Sequence, residues 1–122
     1  MRILIVEDDQ WLADCYRQWL ERAGYDTVWR NNAQDALDAL DEQTPQLLLL
    51  DIMLPSANGI QLLQELRTHA DSLHVPVIVC SSALSPGLPD LSAYNVVQLL
   101  DKTTLTPSKL RKAVQGAVCA DI

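Results

Sequence analysis

Short apolar runs alternate along the chain with longer segments in which apolar residues recur at helical spacing. The runs predict five buried β-strands, because each is strand-length and rich in aliphatic residues. The third run is four consecutive leucines, and a strand without polar alternation is typical of a sheet covered on both faces. The predicted strands are Arg2–Val6, Tyr25–Trp29, Leu47–Leu50, Val75–Cys80 and Val96–Leu100.

The segments between these runs predict helices, and capping residues mark several of their ends. Gly24 can end the first helix, Asn31 or Asn32 can cap the second, and Thr106-Pro107 can begin the last. Between the fourth and fifth strands lies Ser85-Pro86-Gly87-Leu88-Pro89, so we expect any fourth helix to be short or displaced. The other predicted helices are Gln10–Ala23, one from Ala33 past Leu40, one from the Leu54–Gly59 loop to about Ala70, and one ending at about Ala120.

Strands that alternate with helices predict an α/β fold with a doubly wound parallel sheet. The 122 residues have the length of one domain, and no repeat or linker divides them. We therefore expect a single domain over residues 1–122, with no output domain in this chain.

Composition excludes several classes of function. A net charge of −7 argues against binding to nucleic acid or anionic membranes, which depends on basic patches. No apolar run is long enough to span a bilayer and no signal peptide is visible, so we expect a cytoplasmic protein. The three scattered cysteines predict reduced thiols rather than disulfides or a zinc site, and the three tryptophans predict packing or surface residues.

Polar residues follow four of the predicted strands, at the ends where ligands bind in open parallel sheets. Alone, Asp51 could be a helix cap, a turn residue, a metal ligand or a nucleophile. Together with nearby acids it predicts an oxygen-rich Mg²⁺ site at which a carboxylate attacks a phosphoryl group, while a hydroxyl and an ammonium hold phosphoryl oxygens. The residues concerned are Glu7, Asp8 and Asp9 after the first strand, Asp51 after the third, Ser81 after the fourth and Lys102 after the fifth.

The chain closely resembles the receiver domain of two-component response regulators over essentially its whole length. The segments that carry the resemblance are ILIVEDD, LERAGYDTV, ALDAL, PQLLLLDIMLPSANG, PVIVCSS and the lysine after the fifth strand. It implies a (βα)5 flavodoxin-like fold with strand order 2-1-3-4-5. It also implies a phosphoacceptor that takes a phosphoryl group from a sensor histidine kinase or a histidine phosphotransfer protein. Such a chain catalyses only its own phosphorylation and slow dephosphorylation, and is not otherwise an enzyme.

The resemblance also implies a role for each site residue. Asp51 would be the phosphoacceptor, Ser81 the switch hydroxyl and Lys102 the lysine that pairs with the phosphate. Mg²⁺, or Mn²⁺ as its substitute, would be bound directly by Asp8 and Asp51, by Glu7 largely through water, and by the backbone carbonyl of Met53. Asp9 would lie outside the ligands that contact the metal.

Two residues depart from the family pattern. Leu99 stands where receivers usually carry Tyr or Phe, and Thr103 follows the lysine where proline is usual. Because both lie near the surface that most receivers use for signalling, we expect intact phosphoacceptor chemistry with an altered output. An alternative is a receiver-like interaction module that works without phosphorylation. A hydrolase with an aspartyl-phosphate nucleophile ranks last, because such enzymes usually carry that aspartate after the first strand. The cognate kinase, the downstream effector and the oligomeric state do not follow from the sequence.

Overall fold

A five-stranded parallel sheet forms the centre of the molecule. In this computed structural model, which describes residues 2–51, 59–68, 75–81 and 96–119, the strands lie close to their predicted positions. They are β1 (Arg2–Val6), β2 (Asp26–Arg30), β3 (Leu47–Asp51), β4 (Val77–Ser81) and β5 (Val96–Asp101). The strand order is β2-β1-β3-β4-β5, which confirms the predicted doubly wound topology.

The described helices agree with the predicted ones to within a few residues at each end. They are α1 (Gln10–Arg22), α2 (Ala33–Glu42), α3 (Gly59–Thr68) and α4 (Pro107–Cys119). The helix expected between β4 and β5 falls on residues 82–95, which lie outside the described residues, and so does the predicted end of α3 near Ala70.

The predicted capping residues act as caps. Asn32 accepts a hydrogen bond from the backbone N–H of Asp35 at 2.8 Å and begins α2. Thr106 accepts one from the N–H of Lys109 at 3.2 Å at the start of α4. Gly24 has a φ of +96°, a left-handed conformation that favours glycine just beyond a helix end.

Two strands begin later than predicted, for local reasons. Tyr25 donates its backbone N–H to the carbonyl of Leu20 at 3.1 Å and so belongs to the end of α1, which shifts β2 by one residue. Pro76 has no N–H to donate, so β4 begins at Val77, although the Pro76 carbonyl still accepts from the N–H of Leu48 at 3.0 Å.

Helices pack on both faces of the sheet, which explains the uninterrupted leucines of β3. Alternate β3 residues point into two separate clusters, and Leu47 to Leu50 are all no more than 1% exposed. One cluster joins Leu48 and Leu50 to α2 and α3. The other joins Leu47 and Leu49 to α1 and α4. Each face of the sheet therefore buries an apolar layer, and the polar residues at the carboxyl ends of the strands lie at the edge of these layers.

β5 lies at one edge of the sheet and is more exposed than β2, the strand at the other edge. Val97 and Leu99 are 43% and 46% exposed. Among the residues that the structure describes, no helix is both long and apolar enough to cross a membrane.

Candidate functional site

Three acidic residues meet at the carboxyl edge of the sheet, as the sequence predicted. Val6 pairs with Leu50, so Glu7, which follows β1, and Asp51, the last residue of β3, lie at the same level of the sheet edge. One carboxylate oxygen from each of Glu7, Asp8 and Asp51 lies within 4.8 Å of the others. Glu7 and Asp51 are only 1% and 4% exposed, whereas Asp8 is exposed. The three carboxylates thus form a cluster with one side open to solvent.

Lys102 lies beside these acids. It follows β5, and its Nζ is 2.7 Å from Asp51 Oδ2, to which it donates a hydrogen bond. The same ammonium donates to Glu7 Oε1 at 3.1 Å and lies 2.8 Å from Glu7 Oε2. One cation therefore contacts both buried carboxylates.

Burial and charge shift the pKa values of two of these groups. Burial, reinforced by the neighbouring charge of Asp51, raises the pKa of the Glu7 carboxyl to about 7, against the opposing hydrogen bond from Lys102. Burial acts to lower the pKa of the Lys102 ammonium, but its hydrogen bonds to Asp51 and Glu7 outweigh this, and the pKa is raised. Lys102 is therefore cationic at neutral pH, whereas Glu7 titrates there.

The donor set fits a hard divalent cation. Glu7 Oε2 is buried, and the Lys102 ammonium lies beside it, with Nζ at 2.8 Å. The three clustered side chains offer only oxygen ligands, which suit Mg²⁺ or Mn²⁺ better than softer metals. A divalent cation at this cluster would reduce the repulsion between the adjacent carboxylates.

The loop between β1 and α1 is held by hydrogen bonds that the sequence did not predict. Asp9 caps α1, accepting from the backbone N–H groups of Trp11 at 2.9 Å and Leu12 at 3.3 Å. Its own N–H donates to Glu7 Oε1 at 3.2 Å. Trp29, from β2, donates its indole Nε1–H to the backbone carbonyl of Glu7 at 2.8 Å. The sequence shows a tryptophan near the end of β2, but only the pairing of β2 with β1 places it beside the acids.

Two further predicted site residues are Ser81 and Met53. Ser81 ends β4, one residue beyond Cys80, which pairs with Asp51, so its backbone lies at the expected edge. The Ser81 side chain and the whole of Met53 fall outside the described residues. Their roles remain predictions.

Comparison with known proteins identifies the family. The model of the response regulator receiver domain matches residues 3–115. The polar-differentiation response regulator DivK of Brucella anthropi is 33% identical over 85 residues, which cover 70% of this chain and 69% of that protein. The chain belongs to the response regulator receiver domain family. Receiver domains are signalling domains rather than classical enzymes, and they interact with histidine kinases or phosphotransfer proteins.

Solved structures share the receiver fold over nearly the whole chain. A sensor protein from Polaromonas sp. JS666 superposes with a TM-score of 0.90 and 25% identity, covering 98% of this receiver and 96% of that chain. The receiver domain of the sensor histidine kinase PA1611 from Pseudomonas aeruginosa, with a magnesium ion in its active-site cleft, has a TM-score of 0.87 and 22% identity. The coverage is 97% of both chains. This second likeness concerns the fold alone.

Proposed function

We propose that this receiver accepts a phosphoryl group on Asp51 from a phosphohistidine of a sensor kinase or phosphotransfer protein, and signals by the conformational change that follows. The observation that carries the proposal is the buried Asp51 carboxylate, flanked by two further acids and contacted by Lys102 Nζ at 2.7 Å. A cytoplasmic location, where such donors present their phosphohistidine, is part of the proposal.

The reaction exchanges one bond to phosphorus for another. A carboxylate oxygen of Asp51 attacks the phosphorus, the new O–P bond forms as the N–P bond breaks, and the electron pair leaves with the imidazole nitrogen of the donor. Lys102, which contacts the Asp51 carboxylate before transfer, would then bind an oxygen of the phosphoryl group. The Ser81 hydroxyl is proposed to bind another of these oxygens. Phosphoryl transfer depends mainly on such positioning and charge stabilisation.

The magnesium site is part of the same proposal. Glu7, Asp8 and Asp51 would hold the ion, together with the backbone carbonyl of Met53, with Glu7 acting largely through water. The bound ion would offset the repulsion between the Asp51 carboxylate and the incoming phosphoryl group. Three carboxylates within one small cluster, two of them buried, support this assignment. The magnesium in the cleft of the Pseudomonas receiver is consistent with it.

Labelling of the unmodified protein tests the function directly. Incubation with phosphoramidate and Mg²⁺ should add a single phosphoryl group, visible by intact-protein mass spectrometry, and EDTA should prevent it. Fragmentation should place the group on the peptide that contains Asp51. A protein that stays unlabelled at saturating Mg²⁺, or that is labelled on another peptide, would contradict the proposal.

A second candidate function is a receiver that works by constitutive contacts without phosphorylation. It is favoured by Val97 and Leu99, two exposed apolar side chains on the edge strand β5 that offer a contact surface whatever the state of Asp51. An unlabelled but correctly folded protein would favour this candidate. The cluster of Asp51, its neighbouring acids and Lys102 favours phosphorylation.

Replacement of Leu99 with alanine should leave phosphorylation nearly unchanged. Leu99 is 46% exposed, and the side chain that it would lose lies outside the cluster of acids and Lys102. We expect the initial rate of labelling by phosphoramidate to stay within about twofold of the unmodified protein, and the stability to fall by less than about 1 kcal/mol. Val97→Ala, on the same strand at 43% exposure, is the matched control. A tenfold loss of rate in Leu99→Ala alone would show that Leu99 takes part in the chemistry.

A further inference from the structure

Trp29 connects the edge strand β2 to the backbone of the acidic loop. Its register partner is Ile5 on β1, two residues before Glu7. The indole is partly buried against the apolar cluster beneath α1 and α4, and its Nε1–H donates to the Glu7 carbonyl at 2.8 Å. The side chain therefore combines apolar packing with one directed hydrogen bond at the base of the site.

The carbonyl that Trp29 binds lies beyond the last backbone pairing of β1 with β2. The last register pair is Val6 with Arg30, and the Glu7 N–H still donates to the Arg30 carbonyl at 3.1 Å. The indole supplies the next donor along this edge, in place of a backbone N–H. A partly buried carbonyl that lost this donor would be left with a poorer partner or none.

Asp8 lies between two residues that hydrogen bonds hold in place, Glu7 before it and Asp9 after it. On one side Glu7 is fixed at its N–H by Arg30, at its carbonyl by Trp29 and at its carboxylate by Lys102. On the other side Asp9 caps α1 and donates its N–H to Glu7 Oε1. Asp8 is exposed, yet it lies between two anchored residues, so its carboxylate is held near those of Glu7 and Asp51.

We propose that Trp29 is a positioning residue for the divalent cation site: its indole N–H fixes the Glu7 carbonyl and thereby aligns the Glu7 and Asp8 carboxylates. Trp29 does not touch the ion or the phosphoryl group. The inference rests on the proposed function insofar as the cluster binds a cation. Pre-organised ligands bind more tightly because less ordering is required at the moment of binding.

The test removes the indole N–H and keeps an aromatic ring at position 29. Trp29→Phe, and the protein with benzothienylalanine at position 29, which replaces the indole N–H with sulfur at nearly the same shape, should bind Mn²⁺ about five- to tenfold more weakly. That factor represents the cost of ordering the loop at the moment of binding, which the indole N–H otherwise removes in advance. Free Mn²⁺ is measured by electron paramagnetic resonance. The control is Trp19→Phe, because Trp19 packs against the same apolar cluster and contacts Tyr16 at a ring-centroid distance of 5.9 Å. It should bind Mn²⁺ within about twofold of the unmodified protein.

A second measurement reads the loop without any metal. In EDTA, amide hydrogen exchange at Asp8 and Asp9 should accelerate at least about fivefold in both position-29 proteins but not in Trp19→Phe. Unchanged Mn²⁺ affinity and unchanged exchange in the benzothienylalanine protein would overturn the inference. Failure of the unmodified protein to bind Mn²⁺ would instead contradict the proposed metal site. In that case the exchange rates still decide whether Trp29 orders the loop.

Discussion

Replacing Asp51 with asparagine is expected to abolish labelling by phosphoramidate in the presence of Mg²⁺, reducing the initial rate by at least ~10²-fold to the background of the assay. The amide keeps the size of the side chain and can still accept a hydrogen bond from Lys102 Nζ, which lies 2.7 Å from Asp51 Oδ2 in the unmodified chain. It lacks the anionic oxygen that would attack phosphorus. It also removes one of the three carboxylates that would hold the metal. Intact-protein mass spectrometry over time measures the loss.

The control is Asp26, another aspartate in a strand, which lies where the strands begin rather than where they end. Asp26 is exposed and begins β2, where it pairs with Arg2, so Asp26→Asn removes the same charge far from the acidic cluster. It should be labelled at the rate of the unmodified protein. Circular dichroism should show both variants to be folded. Undiminished labelling of a folded Asp51→Asn protein would overturn the assignment of the phosphoacceptor.

The metal-free protein should become less stable as the pH rises from 5 to 8, by about 2 to 3 kcal/mol through Glu7 alone. Burial raises the pKa of Glu7 to about 7 in the folded state, above its ordinary value of 4.5. The Glu7 carboxyl therefore binds its proton more tightly in the folded protein than in the unfolded chain. Its contribution to stability is greatest below about pH 4.5, declines as the pH rises towards 7 and is lost above it. Urea unfolding in EDTA, at several pH values, measures the free energy of unfolding.

Two variants separate Glu7 from the general repulsion of a chain with net charge −7. Glu7→Gln is expected to remove most of the decline between pH 5 and 8, because the amide does not titrate. Glu42→Gln removes an equal charge from an exposed position at the end of α2 and should keep the decline. Equal pH dependence in Glu7→Gln and the unmodified protein would show that Glu7 is already ionised at pH 5. Saturating Mg²⁺ should reduce the decline, since the cation favours the ionised carboxylates.

The sequence predicted the strands and most of the site because the responsible signals are local. Four successive leucines require cover on both faces, and the capping of α2 by Asn32 involves residues only three positions apart. Polar residues directly after apolar runs predict which side chains share the carboxyl edge, as Glu7 and Asp51 do. The start of β2 was wrong by one residue, because the hydrogen bond from Tyr25 to Leu20 extends the end of α1 in a way that periodicity does not reveal.

The sequence by itself predicted the fold class and assigned four acids, one serine and one lysine to a single edge of the sheet, since strand ends in a parallel sheet converge whatever the details of packing. Only the tertiary structure determined the contacts among these residues and the pKa shifts that follow from them. The 2.7 Å contact between Lys102 and Asp51 spans 51 positions of the chain, and the raised pKa of Glu7 depends on burial by the whole sheet. Trp29 shows the same limit, because a hydrogen bond between residues 22 positions apart exists only once β2 lies beside β1. Such distances and desolvation are properties of the packed molecule, and no short stretch of sequence encodes them.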